Sequence, residues 1–136
     1  RFHEAKLDGA QKVKVWGTGK PMREFLYVDD MASACIHVMN LTHAQFVAAV
    51  PNPLCSHINV GTGYDLSIAE LANKISRIVG FHGKVEFDIS KPDGSPRKLM
   101  DVSRLRSLGW SYSVELEQGL MMTYEWFLDN LEELRV

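Results

Sequence analysis

Two arginines, Arg23 and Arg97, lie among turn residues that can be brought against a ligand. The first stands in Pro21-Met22-Arg23-Glu24-Phe25-Leu26-Tyr27-Val28-Asp29-Asp30, at the mouth of a short apolar strand that leads to two carboxylates. The second stands in Lys91-Pro92-Asp93-Gly94-Ser95-Pro96-Arg97-Lys98-Leu99-Met100-Asp101, which is charged and rich in turn residues. A guanidinium held at a strand end suits a phosphate, because its planar fork makes two parallel charged hydrogen bonds at once. Trp16, just before a glycine turn, offers either a flat apolar surface for a base or sugar, or a packing contact. Asp93, between Pro92 and Gly94, is a turn residue by type, and its carboxylate can equally accept sugar or ribose hydroxyls.

Other chemistry-bearing residues give weaker signals. Gly17-Thr18-Gly19 and Gly61-Thr62-Gly63 suggest a cofactor loop, but a dinucleotide fingerprint needs G-x-G-x-x-G, and the sixth positions are Met22 and Leu66. Both pairs read as turns that end strands. The five histidines are scattered, and His37 and His57 read as structural. Cys35 is expected in the core, on the apolar face of a helix, and Cys55 in a loop. The two cysteines have neither metal-ligand nor redox spacing.

The elements that must position these residues are short. Lys12 to Trp16 alternates as a half-buried strand, and Glu24 to Val28 reads as a second. A helix is expected from Asp29 or Asp30 to about Leu41, with Met31, Ala34, Cys35, Val38 and Leu41 on one face. Residues 42–55, including Pro51-Asn52-Pro53, read as a loop, and His57 to Val60 as a strand. Ser67 with Glu70 forms a capping box for a helix whose stripe is Ile68, Leu71, Ala72, Ile75, Ile78 and Val79, ended by Gly80. Lys84 to Phe87 is expected as a strand, Val102 to Leu108 as a short helix and Val114 to Leu134 as a long one. The last helix should place Leu116, Leu120, Tyr124, Phe127 and Leu131 on one side. Short strands alternating with helices predict a small α/β lobe.

With 136 residues, 46% hydrophobic and 24% charged at net charge −2, the composition is that of one ordinary globular domain. That balance gives no basic footprint for nucleic acid, and no apolar run approaches the roughly 20 residues of a membrane span. A reduced, cytoplasmic protein is expected. Arg1-Phe2-His3-Glu4-Ala5-Lys6-Leu7 reads as the tail of an amphipathic helix met in mid-pattern, so a fragment is expected.

Three segments resemble a known family. Trp16 to Met31, His57 to Gly63 (H-I-N-V-G-T-G) and Lys91 to Asp101 are similar to the substrate lobe of the GDP-L-fucose synthase family, within the extended short-chain dehydrogenase/reductases. The pattern R-x-F-x-H/Y-V-x-D marks the wider nucleotide-sugar group, while Pro-Met-Arg together with Lys-Pro-Asp-Gly-x-Pro-Arg-Lys is much narrower. The resemblance runs along essentially the whole chain. It implies that residues 1–136 form the small C-terminal, substrate-binding α/β lobe, with the Rossmann domain absent. It implies that Arg1, Trp16, Arg23 and Asp93 contact the GDP-sugar, Arg23 at the diphosphate, with Arg97 a second-rank candidate.

The implied substrate and product are GDP-4-keto-6-deoxymannose and GDP-L-fucose, linked by 3,5-epimerisation and NADPH-dependent reduction of the 4-keto group. NADP(H) would be bound mainly by the missing N-terminal domain, and the full-length protein would be a homodimer. The family's glycine-rich turn, its Tyr-x-x-x-Lys pair and its epimerising cysteine and histidine would all lie upstream of Arg1, so this chain alone is expected to be inactive. Two alternatives stand beside this reading: a related epimerase or reductase acting on another nucleotide sugar, and a non-catalytic nucleotide-sugar-binding module.

Overall fold

The computed structural model describes residues 1–50, 54 and 56–134, so Pro51-Asn52-Pro53 and Cys55 lie outside the described residues. In chain order the elements are α1 (Phe2–Leu7), β1 (Lys12–Trp16), β2 (Met22–Glu24), α2 (Val28–Met39), α3 (His43–Ala49), β3 (Asp65–Ser67), α4 (Ile68–Val79), β4 (Lys84–Asp88), β5 (Arg97–Lys98), α5 (Ser103–Ser107) and α6 (Leu116–Asp129). The α/β expectation is met. The chain forms two compact units, one of Arg1–Arg23, Leu66–Lys98 and the residues from Glu117 onward, the other of Glu24–Asp65 and Leu99–Leu116.

In the first unit β1 and β4 pair in parallel, from Lys12 opposite Lys84 to Trp16 opposite Asp88. Both strands occur where the alternation predicts them. Val13 is buried between the ladder and its helices, together with Ala72, Val79 and Phe81. Helix α4 follows its sequence signals closely. Ser67 Oγ accepts the Glu70 N–H at 3.1 Å, and Glu70 Oε2 accepts the Ser67 N–H at 2.8 Å. Such a cap is worth on the order of 1 kcal/mol. Gly80 ends the helix in the left-handed region at φ 73°, where a side chain would be strained. Helix α6 half-buries Leu116, Leu120, Tyr124 and Phe127, as expected, and stops at Asp129 so that Leu131 lies beyond it, exposed.

The second strand is shorter and earlier than expected. It ends at Glu24 because that side chain turns to cap other backbone: Glu24 Oε1 accepts the Gly63 N–H at 2.6 Å and Oε2 the Met100 N–H at 2.9 Å. β2 occupies the middle of a three-stranded sheet in the order β3–β2–β5. Its parallel partner β5 aligns Met22 with Arg97 and Arg23 with Lys98.

The core of the second unit is Ala34, Leu105 and Trp110, with Leu26, Val38, Ile58, Val60 and Tyr112 packed against it. Three expectations fail here. Residues 43–49 form α3 rather than loop, started by a second capping box in which Thr42 Oγ1 accepts the Gln45 N–H at 3.3 Å. His57 to Val60 joins no ladder; side chains hold it instead, Arg104 donating to the His57 carbonyl at 3.0 Å and Asn59 to the Asp101 carbonyl at 3.1 Å. Cys35 is exposed, not core, because α2 turns Ala34 and Val38 inward and leaves Met31 and Cys35 outside. His37 is structural as expected, its Nε2 lying 3.0 Å from the Leu108 carbonyl.

Candidate functional site

All five candidate residues fall in the first unit: Arg1, Trp16 and Arg23 in its first segment, Asp93 and Arg97 in its second. What brings the segments together is a clasp that no sequence motif announces. Asp93 Oδ1 accepts the Thr18 N–H at 2.8 Å, and Asp93 Oδ2 accepts the Thr18 hydroxyl at 2.6 Å. These hydrogen bonds, the hydroxyl's first, hold the Asp93 carboxyl below the ordinary aspartate range. Gly17 makes the clasp possible. At φ 83° it occupies the left-handed region, and a Cβ there would overlap the Asp93 carboxylate.

Beside the clasp, Trp16 is 63% exposed, which removes the alternative of a packed tryptophan within this unit. Two cations stand against its ring, the Arg1 guanidinium carbon at 5.7 Å from the centroid and Lys91 Nζ at 5.8 Å. Distances of this size fall within the range of cation–π attraction. Arg23 is half-buried, donates from Nη1 to the Met22 carbonyl at 2.6 Å, and lies against Gly94, where a Cβ would sit 3.1 Å from its Nη2. The glycine of Lys-Pro-Asp-Gly is thus the residue that makes room for the guanidinium.

Arg97 is exposed on β5 with Met22 as its ladder partner. Residues directly aligned in a parallel pair share a face, and neighbours along a strand alternate. Lys98, not Arg97, is therefore the basic residue in line with Arg23. Thr18, Gly94 and Lys91 were missed in the sequence because their roles depend on a contact across 70 or so positions, for which local spacing gives no signal.

The described residues do not fit a dinucleotide. Gly17-Thr18-Gly19 leads into β2 and Gly61-Thr62-Gly63 into β3, whereas a pyrophosphate is seated at a helix N-terminus. Carboxylates also fill the space beside these glycines, Asp93 at Gly17 and Glu24 at Gly61, which is the wrong charge for phosphate. The reading of a turn that ends a strand holds for Gly17-Thr18-Gly19, which follows β1, but not for Gly61-Thr62-Gly63, since residues 57–60 form no strand. Among the described residues no group of three His, Cys, Asp or Glu side chains can hold a metal, and no helix is long and apolar enough to cross a membrane.

Comparison with known proteins gives a consistent picture. Residues 1–61 match the NAD dependent epimerase/dehydratase family. The chain is 57% identical over 135 residues to the GDP-L-fucose synthase of Escherichia coli, covering 99% of this chain and 42% of that protein. A GDP-L-fucose synthetase structure from Naegleria fowleri superposes with a TM-score of 0.84 at 28% identity, over 99% of this chain and 39% of that one. A GDP-mannoheptose C4 reductase from Campylobacter jejuni, solved with NADP bound, gives 0.79 at 40% identity, over 93% and 42%. The chain therefore spans about two fifths of the length of the relatives it matches. The resemblance read from three short segments extends along nearly the whole sequence and into the fold: this chain is similar to the GDP-L-fucose synthases along almost all of its length, and its first 61 residues match the NAD dependent epimerase/dehydratase family.

Proposed function

We propose that this chain is the nucleotide-sugar-binding part of a GDP-L-fucose synthase, an enzyme that converts GDP-4-dehydro-6-deoxy-D-mannose to GDP-L-fucose. The observation that carries the reading is the juxtaposition of an exposed Trp16, a half-buried Arg23 and the Lys91–Arg97 segment, fastened by the Thr18–Asp93 clasp. Such a surface suits a ligand with a flat or hydroxylated part and a diphosphate. In this reading Arg23 takes the diphosphate, where a charged hydrogen bond contributes ~1.5–3 kcal/mol. Trp16 and Asp93 contact the less charged part of the GDP-sugar, and Arg1 and Arg97 are the two candidates for a second contact with the phosphates. Asp93 has lone pairs left beyond those that hold Thr18, so it can both fix the turn and accept a ligand hydroxyl.

The lobe assignment is part of the same proposal. The described chain has no dinucleotide cradle, so the Rossmann domain and NADP(H) are assigned to the three fifths of the relatives' length that lies outside it. Hydride transfer and the 3,5-epimerisation are assigned there too; the residues of this chain bind and orient. The full-length protein is proposed to be a cytoplasmic homodimer.

Charge reversal at Arg23 tests the proposal. In the complete protein, Arg23→Glu should weaken GDP binding by about 100-fold or more, the loss of one charged hydrogen bond plus repulsion. Unchanged affinity in a calorimetric titration would sink it. A second reading, a reductase for a different GDP-sugar, is favoured by the 40% identity to the GDP-mannoheptose C4 reductase. Turnover of GDP-4-keto-6-deoxymannose against a GDP-4-keto-heptose separates the two, and competition by UDP instead of GDP would overturn both.

A further inference from the structure

Resting on the reading just proposed, we infer that Lys91 is a further phosphate-binding residue of the site, one that rests against Trp16 in the free protein and moves to the ligand's phosphate. Its backbone is fixed twice. The Lys91 N–H donates to the Asp88 carbonyl at 3.2 Å, the same oxygen that accepts the Gly17 N–H at 2.9 Å. Two residues later, Asp93 grips Thr18. The Lys91 Cα is thereby held beside the end of β1, while its side chain is exposed and its four-carbon stem is free to pivot.

Among the described residues no carboxylate forms an ion pair with the ammonium, although Asp88 attracts it through space. Asp88 Oδ1 accepts the Ser90 N–H at 3.1 Å and the Ser90 hydroxyl at 2.6 Å, and both Asp93 oxygens bind Thr18. The ammonium lies over the Trp16 ring, an attraction that is weak at an exposed site. A planar group that stacks on Trp16 must move cations off the ring. An ammonium displaced to the edge of that ligand gains a phosphate, a stronger partner than the indole it leaves. Arg23 is held by its hydrogen bond to the Met22 carbonyl and lies beside Gly94, so the two basic residues approach from the two clasped segments.

The test is a titration of the complete protein with GDP at low and high salt. Lys91→Gln should bind GDP about tenfold more weakly than wild type at ~50 mM NaCl, the size of one charged contact. The gap should close to within about twofold near 0.5 M, where exposed charges are screened. Lys91→Arg should stay close to wild type. Equal affinities for Lys91→Gln and wild type at low salt overturn the inference. So does a loss of the same size at both salts, which would mark Lys91 as a packing residue. Failure of the wild-type protein to bind GDP would remove the underlying reading, and the inference with it.

Discussion

Asp93 and Asp30 do the same thing in different surroundings. Each fastens two distant segments by accepting a backbone N–H and a hydroxyl from one small residue, Thr18 in the first unit and Ser113 in the second. Asp30 adds the Val114 N–H at 2.9 Å. But Asp30 is only 3% exposed, whereas Asp93 lies on the surface beside Trp16 and Lys91. Burial would by itself push the Asp30 carboxyl up; the Ser113 hydroxyl and the Val114 and Ser113 N–H groups outweigh it and hold the group below its ordinary range. The buried clasp keeps a core together. Its exposed counterpart keeps a surface arranged, and it is the surface that carries the proposed chemistry.

The largest expected effect is the one that tests the buried member. Asp30→Ala strands two N–H groups and a hydroxyl next to the Ala34–Leu105–Trp110 core, which should cost about 2–4 kcal/mol of stability in chemical denaturation. The pH dependence has a definite sign. A carboxyl whose folded pKa is depressed stabilises the fold above its unfolded pKa and loses that contribution as pH falls through the folded value, so wild-type stability should drop below about pH 4. Asp30→Asn should flatten that acid limb. If Asp30→Ala unfolds at the wild-type denaturant midpoint, the distinction between the two clasps disappears.

How much of this was legible in the sequence depended on whether the cause was local. The Ser67–Glu70 box, the Gly80 stop and the alternation of Lys12 to Trp16 act within a few residues, and each element formed where it was read. Thr42 with Gln45 was equally local, but the nearby Pro51-Asn52-Pro53 drew the whole stretch into a loop reading. His57 to Val60 has the composition of a strand, yet Arg104 and Asn59 hold it without a ladder, a tertiary effect that overrides propensity. At the site, the types of Arg23, Trp16 and Asp93 were visible. That Thr18 would receive Asp93, or that Gly94 would lie under Arg23, was not.

A smaller effect separates the requirement for Gly17 from ordinary glycine strain. Gly17 and Gly109 both have positive φ, 83° and 90°, but nothing lies within 4 Å of a Cβ at Gly109. Gly109→Ala should therefore cost only the conformational penalty, about 1–2 kcal/mol. Gly17→Ala carries a similar penalty and also displaces Asp93, so GDP affinity should fall along with stability. Equal retention of GDP affinity by the two variants would mean that the clasp does not shape the site.

The smallest change in stability, and the most informative contrast, belongs to Asp93→Ala. Its carboxylate is exposed, and water can replace it at Thr18, so the melting temperature should move by no more than about 3 °C. The segment from Lys91 to Gly94 would lose its tether to Thr18, leaving the Lys91 ammonium and the crevice under Arg23 less fixed. GDP should then bind about five- to tenfold more weakly, from the added cost of ordering a loop that wild type holds ready. Thr18→Val removes the hydroxyl but leaves the N–H contact, so it should fall between Asp93→Ala and wild type if the clasp acts by positioning. If Thr18→Val binds as wild type does while Asp93→Ala is weakened, Asp93 instead serves by touching the ligand, and the likeness between the two aspartates ends at their hydrogen bonds.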